Sequence, residues 1–500
     1  MIGKMKWANF LHIYQPAGQQ PDILEAVTVQ SYRPILEGIK KNKRARLTMN
    51  ISGVLLEMFD THGYRDLIEL VRDLVNDGRL ELTGSAKYHA LLPFLSEEEI
   101  TRQIQENEQT LQFYIGKNYR PEGFFPPEMA YDEKIIPIIK QFGYKWIIID
   151  EIAYNGKTGH VDYSKTYKIK GIDLLVFFRE RSPSNLIMGA AVRSLESLKE
   201  VFKGELNKNR YLLTGMDGET FGHHRPGLDK MLFEFFQSPE LDLVKISDLH
   251  HFFPDTLEIE PVKSTWASSE EDIKKDIQFL SWDDPENEIH HWQKDLVNLA
   301  LSSVYKMDNK NPGYEEVRKA MDEALSSDQF WWASGKPWWS LEEIVRGAVL
   351  CHSVIKSIPE INRDVSEKAS FLYEKIISTA FQWKKSGKIY NLLNAKKNIN
   401  RIPFKERTLE KGGEETAKYN AFIEMFKRLE KEASDNREYE KAILWRDAVW
   451  KIENKSDIYD AMHAIDLLRL NISNHEVEEI IEKYKQKYRE IRGGQPEQRE

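Results

Sequence analysis

Short apolar and β-branched runs alternate along the first half of the chain with longer stretches in which apolar positions recur every three or four residues. Seven runs, at residues 7–14, 46–51, 80–83, 123–125, 146–150, 174–178 and 211–216, are each bounded by polar residues, glycine or proline and predict strands. The stretches between them predict helices. Ser96-Glu97-Glu98-Glu99 has the form of a capping box, and Ile100, Ile104, Leu111 and Ile115 follow near helical spacing. Alternation repeated this often predicts a parallel sheet, either open and doubly wound or closed into a barrel. Past about residue 265 the strand pattern stops, and residues 315–325, 341–358, 365–384, 416–432, 439–453 and 475–492 predict amphipathic helices. The expected division is therefore strands and helices over 1–262, a helical region completing the cleft over 263–410 and a C-terminal helical extension over 411–500, with a frayed tail from Gly493.

Composition narrows the possible chemistry. A length of 500 residues allows two or three domains, each able to bury a core. With 71 Lys and Arg against 80 Asp and Glu, the net charge is −9, so no overall basic excess favours a phosphate backbone and nucleic acid is not the expected partner. No run of 18 apolar residues predicts a membrane span, and the apolar stretch after Lys6 is too short and too polar for a secretory leader. The expected location is the cytoplasm. Cys351 is the single cysteine, which excludes an internal disulfide and a cysteine-based zinc site.

Polar residues that follow strands carry the candidate chemistry, because parallel sheets place their sites at the C-terminal strand ends. His12 and Gln15 lie at the end of the first run, before Pro16. The third run holds Glu81 on the same face as Thr83 and leads to His89. The fourth leads into Phe125-Pro126-Pro127-Glu128, where two prolines fix the backbone around one carboxylate in apolar surroundings. The seventh ends in Asp217-Gly218-Glu219-Thr220-Phe221-Gly222, followed by His223-His224, and lacks the alternating acids of a calcium loop. Two rigid carboxylates at different strand ends suit glycosidic-bond cleavage, in which one attacks the anomeric carbon while the other protonates the leaving oxygen. Other acid–base chemistry needs the same parts, so these residues by themselves predict only a hydrolase or transferase.

Together these segments resemble glycoside hydrolase family 57, the α-amylase-like enzymes, which carry five short conserved regions. The first resembles His12 to Pro16, the second Gly78-Arg79-Leu80-Glu81 running on to His89, and the third Phe125-Pro126-Pro127-Glu128. The fourth, Asp-Gly-Glu-x-Phe-Gly, is matched in full from Asp217, and the fifth resembles Ser327-Asp328-Gln329-Phe330-Trp331-Trp332. The resemblance implies an α/β fold, an incomplete (β/α)7 TIM-like barrel followed by an α-helical region. It also implies retention of anomeric configuration without metal or cofactor. Glu128 would be the nucleophile, kept ionised by hydrogen bonds, and Asp217 the acid/base, its pKa raised by a negative neighbour. His12, Gln15, Glu81, His89, Glu219, Asp328 and Trp331 would bind the α-glucan.

The expected activity is an α-amylase-like glycosidase. The alternatives are a 4-α-glucanotransferase using the same acids, a non-catalytic glucan-binding homologue, and a metal-dependent deacetylase. The deacetylase requires His223 and His224, adjacent residues poorly placed to ligate one ion. Among Trp331, Trp332, Trp338 and Trp339, at least one is expected to stack on sugar, whereas Trp266, Trp282 and Trp292 are expected to be packing residues.

Overall fold

In the computed structural model, which describes residues 5–190, 192–336, 338–395, 414–454 and 458–491, each predicted run forms a strand. They are β1 (Lys6–Ile13), β2 (Leu47–Ile51), β3 (Leu80–Leu82), β4 (Gly123–Phe124), β5 (Trp146–Asp150), β7 (Leu175–Arg179) and β8 (Tyr211–Asp217). Between and after them lie three further strands, β6 (Thr166–Ile169), β9 (Asp242–Val244) and β10 (Thr256–Ile259). These three are short and polar residues interrupt them, so three or four residues give too little periodicity to mark them.

Pairing runs β3-β2-β1-β8, with β9 beside the start of β1, and β10-β6-β7-β5-β4; every pair is parallel except β6 with β7. Two seams connect these sets. Gly84 N–H donates to the Gly123 carbonyl and Phe125 N–H to that of Gly84, both at 2.9 Å, after β3 and at β4. Beyond β7, Glu180 N–H donates to the Leu213 carbonyl of β8 at 2.8 Å. Glycine is required at the first seam. A Cβ on Gly123 would lie 2.0 Å from the Trp146 ring, and one on Gly84 would lie 1.8 Å from the Tyr144 hydroxyl. The central strands β1, β2 and β5 are buried almost throughout, which explains their continuous apolar runs.

Helices follow the strands: Glu288–Tyr305, Tyr314–Ala324, Leu341–Ser357 and Arg363–Lys385. Their buried residues, including Ile289, Leu296, Ile344, Val354 and Leu372, join one core with Phe10, Phe124, Ile147 and Phe177 of the strands. The helix Glu288–Tyr305 begins directly after a capping residue. Asn287 caps it, its side-chain oxygen accepting from Ile289 N–H at 3.0 Å and from His290 N–H at 3.3 Å. A buried ionic cluster clamps the helix Glu97–Ile115 to Tyr314–Ala324. Arg102 Nε lies 2.9 Å from both Asp322 oxygens, and Arg318 bridges Asp322, at 2.7 Å, to Glu99.

The chain divides into two compact units, Met1–Thr220 with Lys230–Leu393, and Phe221–Asp229 with Asn394–Glu500. The helices of 263–393 therefore share a unit with the strands. The expected boundary at 410 and the tail from Gly493 lie outside the described residues. In the second unit, the helices Glu414–Asp435, Tyr439–Glu453, Ile458–Asn471 and Asn474–Ile491 bury Phe422, Phe426, Trp445, Leu468 and Ile481 against one another. Arg225, in the segment that follows the Asp217–Gly222 motif, pairs with buried Asp466 of that unit at 3.0 Å. Among the described residues, no helix is long and apolar enough to cross a membrane.

Candidate active site

β5, β7 and β8 end on polar residues, Asp150, Arg179 and Asp217, and β1 and β2 carry His12 and Asn50 one residue before their ends. Parallel register sets His12 of β1 opposite both Asn50 of β2 and Asp217 of β8. His12 Nδ1–H donates to Asn50 Oδ1 at 2.8 Å. The ring of His89 stacks on those of both Tyr14 and His12, with centroids 4.4 and 4.9 Å away. Burial pushes His89 down to about 3 and His12 well below the usual histidine range, so both rings are neutral.

Glu128 sits in a one-turn 3-10 segment after β4 with φ of 62°, and Met129 follows at 49°. Two successive non-glycine residues in the left-handed region cost of order 1–3 kcal/mol each, a strain that concentrates at functional sites. The fold overrides this cost by backbone contacts. Tyr131 pairs with Ser264, and Trp266 N–H donates to the Glu128 carbonyl at 3.1 Å. The same pairing delivers the Trp266 indole N–H to Glu128 Oε2 at 2.7 Å. Trp266 is thus a site residue rather than the packing residue expected. It lies 138 positions from its partner, and no local pattern signals that contact.

His89 Nδ1 stands 3.9 Å from Glu128 Oε1 and 3.2 Å from Ser327 Oγ, while its Nε2 is buried without a partner. Asp328 accepts from Tyr14 at 2.9 Å and from Ser326 at 3.0 Å. Glu219 accepts from Gln15 Nε2 at 3.1 Å and from the Tyr32 hydroxyl. All five segments are thereby drawn together, the second through His89.

Two expected residues lie apart from this cluster. Glu81 stands below Thr83 on β3, accepting from Thr48 Oγ1 at 2.7 Å and from Ser247 N–H at 3.4 Å. Trp331 packs against Trp332 and Trp338, with centroids 4.8 and 5.4 Å away. Trp339 stacks on Trp383.

The electrostatics differ from the expectation for Glu128. Burial and the nearby charge of Asp217 push it up to about 8, and one indole hydrogen bond only partly offsets them. Hydrogen bonding alone therefore does not keep it ionised. Burial raises Asp217 to about 6 against the pull of Arg179. Burial and Asp217 raise Glu219 to about 8. Arg179 is a buried residue the sequence reading overlooked. It donates to Asp150 at 2.8 Å and to the Gly215 carbonyl at 2.6 Å. Arg181 joins it at Asp150, 2.6 Å away, and reaches the Trp266 carbonyl at 3.1 Å. Both arginines follow the apolar core of a strand, the same signal that marks Asp217.

Residues 11–261, just over half of the chain, match the profile described as Glycosyl hydrolase family 57. The chain belongs to this family. An alpha-amylase of Pyrococcus horikoshii is 23% identical over 280 residues, 52% of this chain and 43% of the relative. A 4-alpha-glucanotransferase of Thermococcus kodakarensis is 22% identical over 367 residues, 65% of this chain and 55% of the relative. The chain thus spans about half the length of the curated relatives it matches. A crystal structure of a GH57-type branching enzyme from Pyrococcus horikoshii shares the fold at a TM-score of 0.56, with 17% identity over 76% of this chain and 97% of that one. The family 57 fold here is α/β with a helical C-terminal region.

Proposed function

We propose that this family 57 member is a retaining glycosidase acting on α-glucans, built on an incomplete (β/α)7 barrel of β1–β5, β7 and β8. The observation that carries this reading is the pair of carboxyls at different strand ends. Glu128 and Asp217 are both mostly buried, neither is locked to a guanidinium, and the charge of Asp217 acts on Glu128. Perturbed acids of this kind belong to sites of chemistry.

Glu128 attacks the anomeric carbon as the glycosidic C–O bond breaks and Asp217 delivers its proton to the leaving oxygen. Asp217, now ionised, then takes a proton from the incoming hydroxyl, whose oxygen releases the sugar from Glu128. Two inversions at one carbon give retention, which requires the carboxyls about 5–5.5 Å apart. His89, with its unpartnered Nε2, faces the Glu128 side of the cleft together with His12, Gln15 and Asp328 as sugar-binding residues. Trp331 is assigned to a more distant subsite, whereas Glu81, held by Thr48 and Ser247, supports the strands rather than the sugar.

Water as the incoming hydroxyl makes the enzyme an amylase; a second sugar makes it a 4-α-glucanotransferase, and relatives carry both names. Product chromatography after incubation with maltoheptaose tests the assignment. Only shorter sugars are expected, and none with Glu128→Gln. Longer sugars among the products would turn the reading to transfer. Unchanged maltoheptaose with the wild type would overturn it.

A further inference from the structure

Asp217 and Glu219 are two positions apart, yet their carboxyls meet different surroundings. Glu219 is 6% exposed, and its Oε1 accepts from both Gln15 Nε2 and the Tyr32 hydroxyl. Gln19 Nε2 donates to Gln15 Oε1 at 2.7 Å, which orients the Gln15 amide with its NH2 toward Glu219. Ser31 Oγ holds the intervening turn through the Gly218 carbonyl at 2.7 Å. Asp217 takes no side-chain hydrogen bond among the described residues. The cation acting on it, Arg179, is already engaged by Asp150 and the Gly215 carbonyl.

Donors stabilise the charged form of a carboxyl, and two neighbouring carboxyls resist ionising together. Where two donors meet one carboxyl and none meets the other, the charge settles on the first and the proton on the second. We propose that Glu219 is a positioning residue for the proton of the reaction: held ionised by Gln15 and Tyr32, it keeps a proton on Asp217 until the leaving oxygen takes it. The proposal rests on the assignment of Asp217 as the acid/base.

The groups that face the pair come from several elements. Tyr32 and Gln15 face Glu219 from the chain after β1, Arg179 faces Asp217 from β7, and the charge of Asp217 reaches Glu128 after β4. Coupled carboxyls titrate as a pair, here near 6 and near 8, so the pair retains one proton through neutrality. With that proton on Asp217, the repulsion that helps raise Glu128 is gone and the nucleophile ionises more readily.

Two readouts test the proposal, one without any substrate. Infrared titration of Glu128→Gln should show the carboxyl band lost near pH 8 shifting with 13C-labelled aspartate and not with 13C-labelled glutamate. A band that follows the glutamate label would overturn the proposal. In turnover of maltooligosaccharides, Glu219→Gln should shift the alkaline limb of kcat downward, losing about fiftyfold against wild type at about pH 8 and less than about twofold at about pH 5.5. Tyr32→Phe, which removes a donor from the ionised carboxyl, should move that limb the other way. A parallel loss at every pH, or a higher KM with an unmoved limb, would make Glu219 a structural or sugar-binding residue and overturn the proposal. An inactive wild type whose infrared band still follows the aspartate label would sink the glycosidase reading but support the placement of the proton.

Discussion

Two buried clusters of acids in this chain use carboxylates in opposite ways. Between the helices Glu97–Ile115 and Tyr314–Ala324, Glu99 and Asp322 face two guanidinium groups, Arg102 and Arg318. At the strand ends, Glu128, Asp217 and Glu219 act on one another, and the guanidinium that acts on Asp217, that of Arg179, is held by Asp150. In the first cluster each charge is compensated and its role is to hold helices together. In the second, burial without compensation raises proton affinity, which prepares a carboxyl to exchange a proton or attack carbon. Burial alone does not distinguish the two clusters; the neighbours of each carboxylate do.

The largest effect is expected at the nucleophile. Glu128→Gln keeps the side-chain shape and should lower kcat/KM on maltooligosaccharides by at least about a thousandfold, measured beside an unchanged circular dichroism spectrum. In the compensated cluster the converse holds. Arg318→Ala leaves Glu99, only 1% exposed, without its guanidinium while Asp322 keeps Arg102, and should cost about 3–5 kcal/mol in denaturant unfolding, without moving the pH optimum of the folded enzyme. A pH profile altered by Arg318→Ala would erase the distinction between the clusters.

Trp266→Phe sharpens the comparison within the site. It removes the one side-chain donor on Glu128 and should lower kcat about a hundredfold. Because that donor favours the ionised carboxyl, the acidic limb of the profile should also move to higher pH.

The smallest effect is on stability. Glu128 titrates near 8 in the folded chain, above its ordinary 4.5, so the folded state holds a proton that the unfolded state has released. Its contribution is fully present below pH 4.5 and is lost as pH rises through 8. Glu128→Gln should therefore melt a few degrees above wild type at about pH 9 in calorimetry, and at nearly the same temperature at about pH 5.

Local pattern reached most of the fold and half of the site. β1–β5, β7 and β8 were legible because central parallel strands are buried on both faces and read as apolar runs. β6, β9 and β10 were not, since short marginal strands owe their conformation to the neighbour they pair with. Glu128 and Asp217 were legible because proline and glycine punctuate the chain where a carboxyl follows a strand. Arg179 followed the same rule and was passed over.

The sequence by itself determined the order of strands and helices, the family, and which carboxyls stand at strand ends. Each of these depends on residues close together in the chain. Only the tertiary structure decided which carboxyl is paired and which is bare. Trp266 reaches Glu128 across 138 residues, Tyr32 reaches Glu219 across 187, and Arg318 reaches Glu99 across 219. The proton affinity of a buried acid depends on solvent exclusion and on those distant partners, and neither is a property of the sequence around it.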